Sequence, residues 1–278
     1  MIKNILVALD GSEHSRSAIE HALWLTERFG ASITGLHVID IVSIEGSFLH
    51  DISGSLGFEP YLDFSSKMRE VLQERGRAML AEFAERAAEA GVRSETLMDV
   101  GVIANEICER ARCADLVVIG HRGINEKFST GLLGGTAESV TRKCPKPVLV
   151  CPMQWKGVRK PLLAYDGSQR SAAAMQAAAD FCVTLKLPLA VAHVAKDETA
   201  GARVLDEARR YLASYPIETS FTCLSGPAPE QIVAAIGAQQ HDLLFIGAYG
   251  HSRIVEMVLG STTEYVLRNA PCPVFLNR

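Results

Sequence analysis

The chain has 278 residues, 48% of them hydrophobic, and a formal net charge of −4 at pH 7. This length and composition predict a globular protein with two modest α/β domains and exclude a disordered chain. A protein that binds nucleic acid without sequence preference needs a basic surface, so the acidic balance argues against that class. No apolar run reaches the roughly 18 residues of a membrane span. The seven scattered cysteines fit reduced thiols, and we expect a cytoplasmic protein with neither nucleic acid nor membrane as a partner.

The chain opens with a predicted buried strand at residues 5–9, which leaves no room for a signal peptide. The turn Asp10–Gly11–Ser12 follows, and then helical spacing of apolar residues over 15–29, ended by Gly30. A second strand covers 33–39. Residues 41–66 are predicted to form a long loop before a long helix over 67–90, and the aromatic side chains of this loop either pack on the body as a lid or contact a ligand or partner.

The same order of elements recurs later in the chain. Residues 161–168 repeat the first strand and turn, 171–185 the helix and 189–194 the second strand, while 115–120 and 146–150 recur at 242–247 and 272–276. Five matched elements indicate an internal duplication, and alternating helices and continuous apolar strands predict parallel sheets covered on both faces. We predict domains at 1–152 and 159–278. The offset falls from 156 (Asp10 to Asp166) to 127 (Asp115 to Asp242), so the second copy is 29 residues shorter.

Glycines and hydroxyl groups lie between the strand at 242–247 and a helix predicted to begin at Thr263. Gly247 and Gly250 are followed by nine residues and then by Gly260 and Ser261. Backbone N–H groups at such a helix N-terminus, together with the helix dipole, favour an anion, so a phosphate-bearing ligand is predicted. The segment has no Gly-Lys-Ser/Thr and is not a Walker loop. An ordinary turn and helix cap is the alternative interpretation.

The spacing Gly-2x-Gly-9x-Gly-Ser resembles the ATP-binding signature of the universal stress protein family. Both copies resemble that family in three further places: the turns at 9–12 and 165–168, the strand ends at 36–39 and 193–194, and the closing strands at 147–150 and 273–276. The chain therefore resembles a tandem member of the family. The resemblance implies a stress-response protein with two doubly wound domains, each with a five-stranded parallel sheet of order 3-2-1-4-5. It also implies that the fifth strands pair between the domains as a pseudo-dimer, and two chains can pair again as a homodimer.

The ligand implied by the resemblance is an adenine nucleotide, ATP with or without Mg²⁺. The contacts implied in the second copy are Ala164, Tyr165, Asp166, Val194, Gly247, Gly250, Gly260, Ser261 and Thr262. The matching positions in the first copy are Asp10, Val38, Gly120, Gly123, Gly134, Gly135 and Thr136. Arg122 and Arg253 lie beside the glycines, where they either reach phosphates or remain solvated.

The first copy departs from the signature. Ten residues, not nine, separate Gly123 from Gly134, and Gly135 replaces the serine, so one hydroxyl donor is lost and an extra residue bulges within 124–133. We expect the C-terminal domain to bind ATP better than the N-terminal one.

Strand-end carboxylates are the other polar groups of the predicted site. In a doubly wound sheet, ligands bind at the carboxyl ends of strands where the strand order reverses. Asp166 therefore faces the same crevice as Gly247, and its carboxylate suits ribose or adenine hydrogen bonds. Asp10 and Asp166 are equally well explained as Asx-turn acceptors that cap the next helix, and both roles can hold. His37 and His193 are interpreted as strand-end residues without a ligand role.

The chemistry for nucleotide turnover is poorly represented. An ATPase or kinase needs a metal-binding carboxylate and a group that orients the nucleophile. Residues 247–262 contain one acid, Glu256, and no lysine, while Glu264 is interpreted as compensating the helix dipole. We expect binding with at most weak hydrolysis. The alternatives are a metal-assisted or hydrolytic enzyme built from His50, Cys108, Cys113 and His121, and an interaction module with degenerate nucleotide sites.

Overall fold

A computed structural model describes residues 2–40, 60–123, 133–247 and 260–277, with residues 60–66 described by their backbone alone. The first half contains β1 (Asn4–Leu9), α1 (Glu13–Phe29), β2 (Ser32–Asp40), α2 (Pro60–Glu89), β3 (Ser94–Gly101), α3 (Ile103–Arg110), a 3₁₀ turn (Ala111–Cys113), β4 (Leu116–Gly120), α4 (Gly135–Lys143) and β5 (Val148–Cys151). The second half contains β6 (Pro161–Ala164), α5 (Gln169–Leu185), β7 (Leu189–Val194), α6 (Glu198–Leu212), β8 (Thr219–Leu224), α7 (Ala228–Gln239), β9 (Leu243–Gly247), α8 (Ser261–Asn269) and β10 (Val274–Asn277).

These strands form one sheet in the order β3-β2-β1-β4-β5-β10-β9-β6-β7-β8. Within each half all pairs are parallel and follow the order 3-2-1-4-5, which confirms the predicted fold class. The halves meet where β5 and β10 pair antiparallel, with Val150 opposite Val274 and Leu149 opposite Phe275. Each fifth strand would otherwise present an unpaired edge, so this pairing covers both edges at once.

Two cores lie on the opposite faces of the sheet. Neighbouring residues of a strand point to opposite faces, so Leu163 belongs to the core beneath α1, α2, α5 and α6, while Leu162 belongs to the core beneath α3, α4, α7 and α8. The continuous apolar strands of the sequence are explained by this double coverage. No helix in the described ranges has the length and apolarity to cross a bilayer.

The predicted boundaries of α1, α2 and α5 need correction, as does that of α8 described below. Helix α2 begins at Pro60, so the loop predicted over 41–66 is wrong for 60–66; proline suits a first helical turn, where its fixed φ is helical and no N–H is required. Residues 41–59, with the lid or partner contact assigned to them, lie outside the described residues. Helices α1 and α5 begin at Glu13 and Gln169, two residues before the predicted starts, because Ser12 and Ser168 cap them.

The first turns of α1 and α5 lie directly against the ends of β4 and β9. A Cβ on Gly120 would lie 2.8 Å from the Cβ of His14, and a Cβ on Gly247 would lie 2.7 Å from the backbone nitrogen of Ser171. No side chain fits at either contact. These two glycines of the signature are therefore required by helix–strand packing, whatever binds nearby.

We expect Gly247→Ala to lower the free energy of unfolding by about 1–3 kcal/mol, because the added methyl meets backbone atoms that cannot turn aside. The control is Gly237→Ala in α7, where a Cβ meets no atom within 4 Å, and alanine should raise stability by about 0.5–1 kcal/mol. Urea unfolding measures both, and equal stability of the two variants would contradict the packing assigned to Gly247.

The segment between the two halves is anchored by Trp155. Its ring contacts His21 edge-on at 4.4 Å between centroids and Trp24 at 5.6 Å. His21 is 3% exposed, and its Nδ1 lies 2.7 Å from the carbonyl oxygen of Ser17, to which it donates because a carbonyl can only accept. Burial lowers the pKa of His21 to about 4, against a small opposing effect of that hydrogen bond.

Acid should destabilise the fold through His21. As the pH falls below 6.5, the unfolded chain binds a proton at this residue that the folded chain does not, so stability is lost between pH 6.5 and about 4, by about 3 kcal/mol in total. His21→Phe keeps a ring against Trp155 and should remove this loss. Urea unfolding of both proteins between pH 4.5 and 7 tests the prediction, which fails if the pH dependence of the variant equals that of the wild type.

Candidate functional site

Asp166 follows β6 and organises the turn into α5. Its Oδ1 accepts a hydrogen bond from the backbone N–H of Ser168 at 2.9 Å, and Ser168 Oγ in turn accepts from the N–H of Ser171 at 3.1 Å. Gly167 between them has φ +76°, a conformation that glycine adopts without strain. Asp166 is thus an Asx-turn acceptor as expected, but the residue that caps the helix is Ser168.

The first half repeats this turn. Asp10 Oδ1 accepts from the N–H of Ser12 at 2.9 Å, and Ser12 Oγ accepts from the N–H of Ser15 at 3.1 Å. Ser15 and its counterpart Ser171 are both 3% exposed. The hydroxyl oxygen of each accepts a hydrogen bond from the backbone N–H of the aspartate in its turn, at 3.3 Å. We had named neither serine as a site residue, although the spacing Asp-Gly-Ser-x-x-Ser at 10–15 and 166–171 carries the signal.

Histidines at the ends of β2 and β7 fix the strand that leads to each aspartate. The Nδ1 of His193 lies 2.8 Å from the carbonyl oxygen of Tyr165, and that of His37 lies 2.9 Å from the carbonyl oxygen of Leu9. Because a carbonyl only accepts, each Nδ1 carries the proton. These side chains therefore hold the residue before each aspartate, a positioning role that the strand-end interpretation missed.

Helix α8 presents an open N-terminus to the site. It begins at Ser261, two residues before the predicted start, and its N-cap Gly260 supplies no side-chain hydrogen bond to the first turn. The first N–H groups of a helix have no partner within it, so this end carries a partial positive charge. Glu264 lies 2.5 Å from Arg268, one turn further along, which ties its carboxylate to that arginine rather than to the helix end.

A cleft of about 190 Å³ lies between this helix end, the Asp166 turn and the sheet. It brings together eight residues of the predicted site, namely Ala164, Tyr165, Asp166, Val194, Gly247, Gly260, Ser261 and Thr262. It also contains eight residues that the sequence-based prediction did not include: Ser168, Ser171, Ala192, His193, Ala228, Ile232, Ile246 and Thr263. The predicted contacts Gly250 and Arg253 lie outside the described residues, as does Glu256.

The cleft has an apolar wall and a polar rim. The wall belongs to the core beneath α7 and α8 and includes Ala164, Ala192 and Ile232. The rim is the turn of Asp166 and the open end of α8. Tyr165 contributes its main chain, because its ring is 2% exposed within the opposite core. Burial, and secondly Glu207 nearby, raises the pKa of the Tyr165 hydroxyl to about 12.

The corresponding positions in the first half are larger. Leu36 of the first half corresponds to Ala192, which lies 156 residues later in the matching strand. Ile103 corresponds to Ala228, because each is the first residue after the N-cap of the matching helix. Val38, Ile107 and Ile119 correspond to Val194, Ile232 and Ile246 and differ little from them. The first half thus has two bulkier side chains where the second half leaves room.

The glycine segment of the first half is the stretch from Gly120 to Gly135, and its described start at 120–123 lies against Asp10. A Cβ on Gly123 would lie 2.7 Å from Asp10 Oδ2, and the Ser12 hydroxyl, which donates to Asp10 Oδ1 at 2.7 Å, lies 3.4 Å from the carbonyl oxygen of Arg122. Gly134 is the N-cap of α4, so Gly135 and Thr136 open that helix in the way Ser261 and Thr262 open α8. A Cβ on Gly135 would meet no atom within 4 Å. The predicted bulge falls mainly on 124–132, outside the described residues.

Cys108, Cys113 and His121 are the described side chains among those considered for a hydrolytic or metal-assisted enzyme. The seven cysteines form no disulfide. A hydrogen bond with Cys144 and burial raise the pKa of Cys108, and burial raises the pKa of Cys182 and of Cys272 to about 12, so these thiols stay protonated. Within the part of the chain that is described, no three histidines, cysteines or acids are placed to hold a metal. His50 lies outside it.

Known proteins share this architecture. The model of the universal stress protein family matches residues 1–152 and 157–278. Universal stress protein Slr1230 of Synechocystis sp. is 32% identical over 288 residues, covering 100% of both chains. Universal stress protein MJ0531 of Methanocaldococcus jannaschii is 35% identical over 152 residues, which cover 54% of this chain and 82% of that protein.

A solved structure agrees over the full length. The crystal structure of a universal stress protein from Archaeoglobus fulgidus has a TM-score of 0.75 at 27% identity, covering 99% of this chain and 96% of that one. The family match to both halves, the full-length relative and the shared fold lead to one conclusion. The chain belongs to the universal stress protein family, as a tandem member with two such domains.

Proposed function

We propose that this universal stress protein binds an adenine nucleotide, ATP with or without Mg²⁺, in the cleft of its C-terminal domain and holds it without efficient turnover. The observation that carries the proposal is the meeting of three parts in one cleft. These are the open N-terminus of α8, the carboxylate of Asp166 and an apolar wall. They lie where the strand order reverses between β6 and β9, which is the usual ligand position in a doubly wound sheet.

Each part suits one portion of the nucleotide. The N–H groups of the first turn of α8, with the hydroxyls of Ser261 and Thr262, suit the phosphates. The carboxylate of Asp166 suits the ribose hydroxyls and is held in place through the Oδ1 bond to Ser168. The base packs on the wall that includes Ala164 and Ile232. The family resemblance supports adenine over other bases.

The chemistry of the cleft supports binding over turnover. Phosphoryl transfer needs carboxylates on the metal and a group that orients the attacking oxygen. Among the described residues that line the cleft, Asp166 is the one carboxylate and none is a lysine. His193 already uses Nδ1 to hold the Tyr165 carbonyl. The nucleotide would then act as a stabilising or signalling ligand, and one that binds only the folded state at 100 times its Kd adds about 2.7 kcal/mol.

Two differences support preferential binding in the C-terminal domain. Ala192 and Ala228 leave room that Leu36 and Ile103 fill in the first half, and Ser261 supplies a hydroxyl that Gly135 lacks. All described residues that line the cleft come from one domain, so a homodimer is not needed to complete it. The absence of disulfides among the seven cysteines fits a reducing compartment and supports the cytoplasmic location that we propose.

The full chain should release an adenine nucleotide when it is purified without chelators and then denatured, as read by mass spectrometry. The stripped protein should bind ATP in calorimetry, and Ala228→Ile, which copies the first half, should weaken binding by at least about tenfold because the side chain enters the cleft. The control Ile103→Ala should leave this affinity unchanged. The proposed function fails if the wild type neither releases nor binds a nucleotide.

The N-terminal site should gain affinity when it is given the features of the C-terminal one. The double variant Ile103→Ala/Gly135→Ser adds room and restores the hydroxyl, and the serine fits because nothing lies within 4 Å of its Cβ position. A hydrogen bond to a charged phosphate strengthens binding by roughly tenfold or more. Calorimetry should show a second class of ATP sites. An unchanged isotherm would mean that other features decide between the domains.

A further inference from the structure

His121 lies at the junction of the two domains and is bonded on three sides. Its N–H donates to the carbonyl of Cys151 at 2.8 Å, and its own carbonyl accepts from the N–H of Gly134 at 3.1 Å. The ring Nε2 lies 2.5 Å from the carbonyl oxygen of Leu267 in the other domain. A carbonyl can only accept, so Nε2 carries the proton and donates it. His121 thus joins the glycine segment of the first domain to the last turn of α8.

The antiparallel junction explains why these groups meet. Because β5 and β10 run in opposite directions, the carboxyl ends of β4 and β5 lie beside the start of β10, where α8 ends. Helix α8 has nine residues, about 13 Å, and its other end is the proposed phosphate site. A shift at one end of so short a helix moves the other end too.

Packing and this hydrogen bond together hold the last turn of α8. Val266 and Leu267 are at most 1% exposed and pack in the core beneath α7 and α8. On its other side, Leu267 borders a cleft of about 220 Å³ at the domain junction, which is also lined by His14, His121 and Arg122. There the hydrogen bond from His121 adds a directional contact from the other domain to the packing of the helix.

We propose that His121 is a positioning residue for the nucleotide site of the C-terminal domain, acting from the N-terminal domain through α8. The proposal rests on the proposed function, because it assigns a second determinant to the same site. The glycine segment of the first half then has a role that does not require it to bind nucleotide. It orients the helix that presents the binding N–H groups of the other half.

The test is the ATP affinity of the full chain, measured by calorimetry for four variants. His121→Asn has an amide that stops short of the Nε2 position, and His121→Phe keeps a ring without a donor; both should weaken binding by about three- to tenfold, the effect of one hydrogen bond. His121→Gln extends an amide to the Nε2 position and should restore affinity to within about twofold. Asn269→Ala is the matched control, because Asn269 donates to the carbonyl of Tyr265 in the same last turn from within α8.

The comparison separates positioning from general stability. We expect the asparagine and glutamine variants to have melting temperatures close to each other while their affinities differ, and the control to bind ATP like the wild type. Equal affinities of His121→Asn, His121→Gln and wild type would overturn this inference and leave the nucleotide site intact. Failure of the wild type to bind ATP would overturn the proposed function, and this inference with it.

Discussion

The antiparallel pair of β5 and β10 is the contact on which the arrangement of the whole molecule depends. It converts two parallel five-stranded sheets into one sheet and covers the edge that each half would otherwise present at its fifth strand. Because this pair is antiparallel, the strands of the two domains run in opposite directions and their carboxyl ends lie at opposite ends of the sheet. The C-terminal cleft and the Asp10 turn of the first domain therefore lie at opposite ends of the strands, and the amino end of β10 is brought near His121 of the first domain.

Within each domain, a small set of backbone contacts builds the site before any ligand is considered. The aspartate after the first strand is held by its own turn and by a serine of the following helix, and a histidine of the neighbouring strand holds the residue before it. The glycine at the end of the fourth strand lets that strand lie on the same helix. Signature residues thus divide into those that shape the scaffold, such as Gly247, and those that present groups to the cleft, such as Ser261. A substitution at a scaffold residue such as Gly247 changes the stability of the fold together with any binding.

The sequence was sufficient for the architecture and for part of the site. The duplication and the continuous apolar strands predicted two parallel sheets covered on both faces, and the family resemblance supplied the strand order. The residues predicted at the strand ends of the second copy meet in one cleft, because parallel topology brings the carboxyl ends of neighbouring strands together. Tyr165 lines the cleft while its side chain enters the opposite core, a division that alternation along a buried strand does not reveal. Ala192 and Ala228 were missed because their small side chains matter only together, and they come from a strand and a helix that are far apart in the chain.

The central claim is that one adenine nucleotide binds per chain, in the C-terminal cleft. Isothermal titration of the nucleotide-free full chain with ATP measures this most directly, because it gives the number of sites together with the affinity. We predict one strong site per chain, with any second site much weaker. Two sites of equal affinity would contradict the difference between the domains. The nucleotide site itself would be contradicted if ATP and AMP gave neither a heat of binding nor a rise in melting temperature.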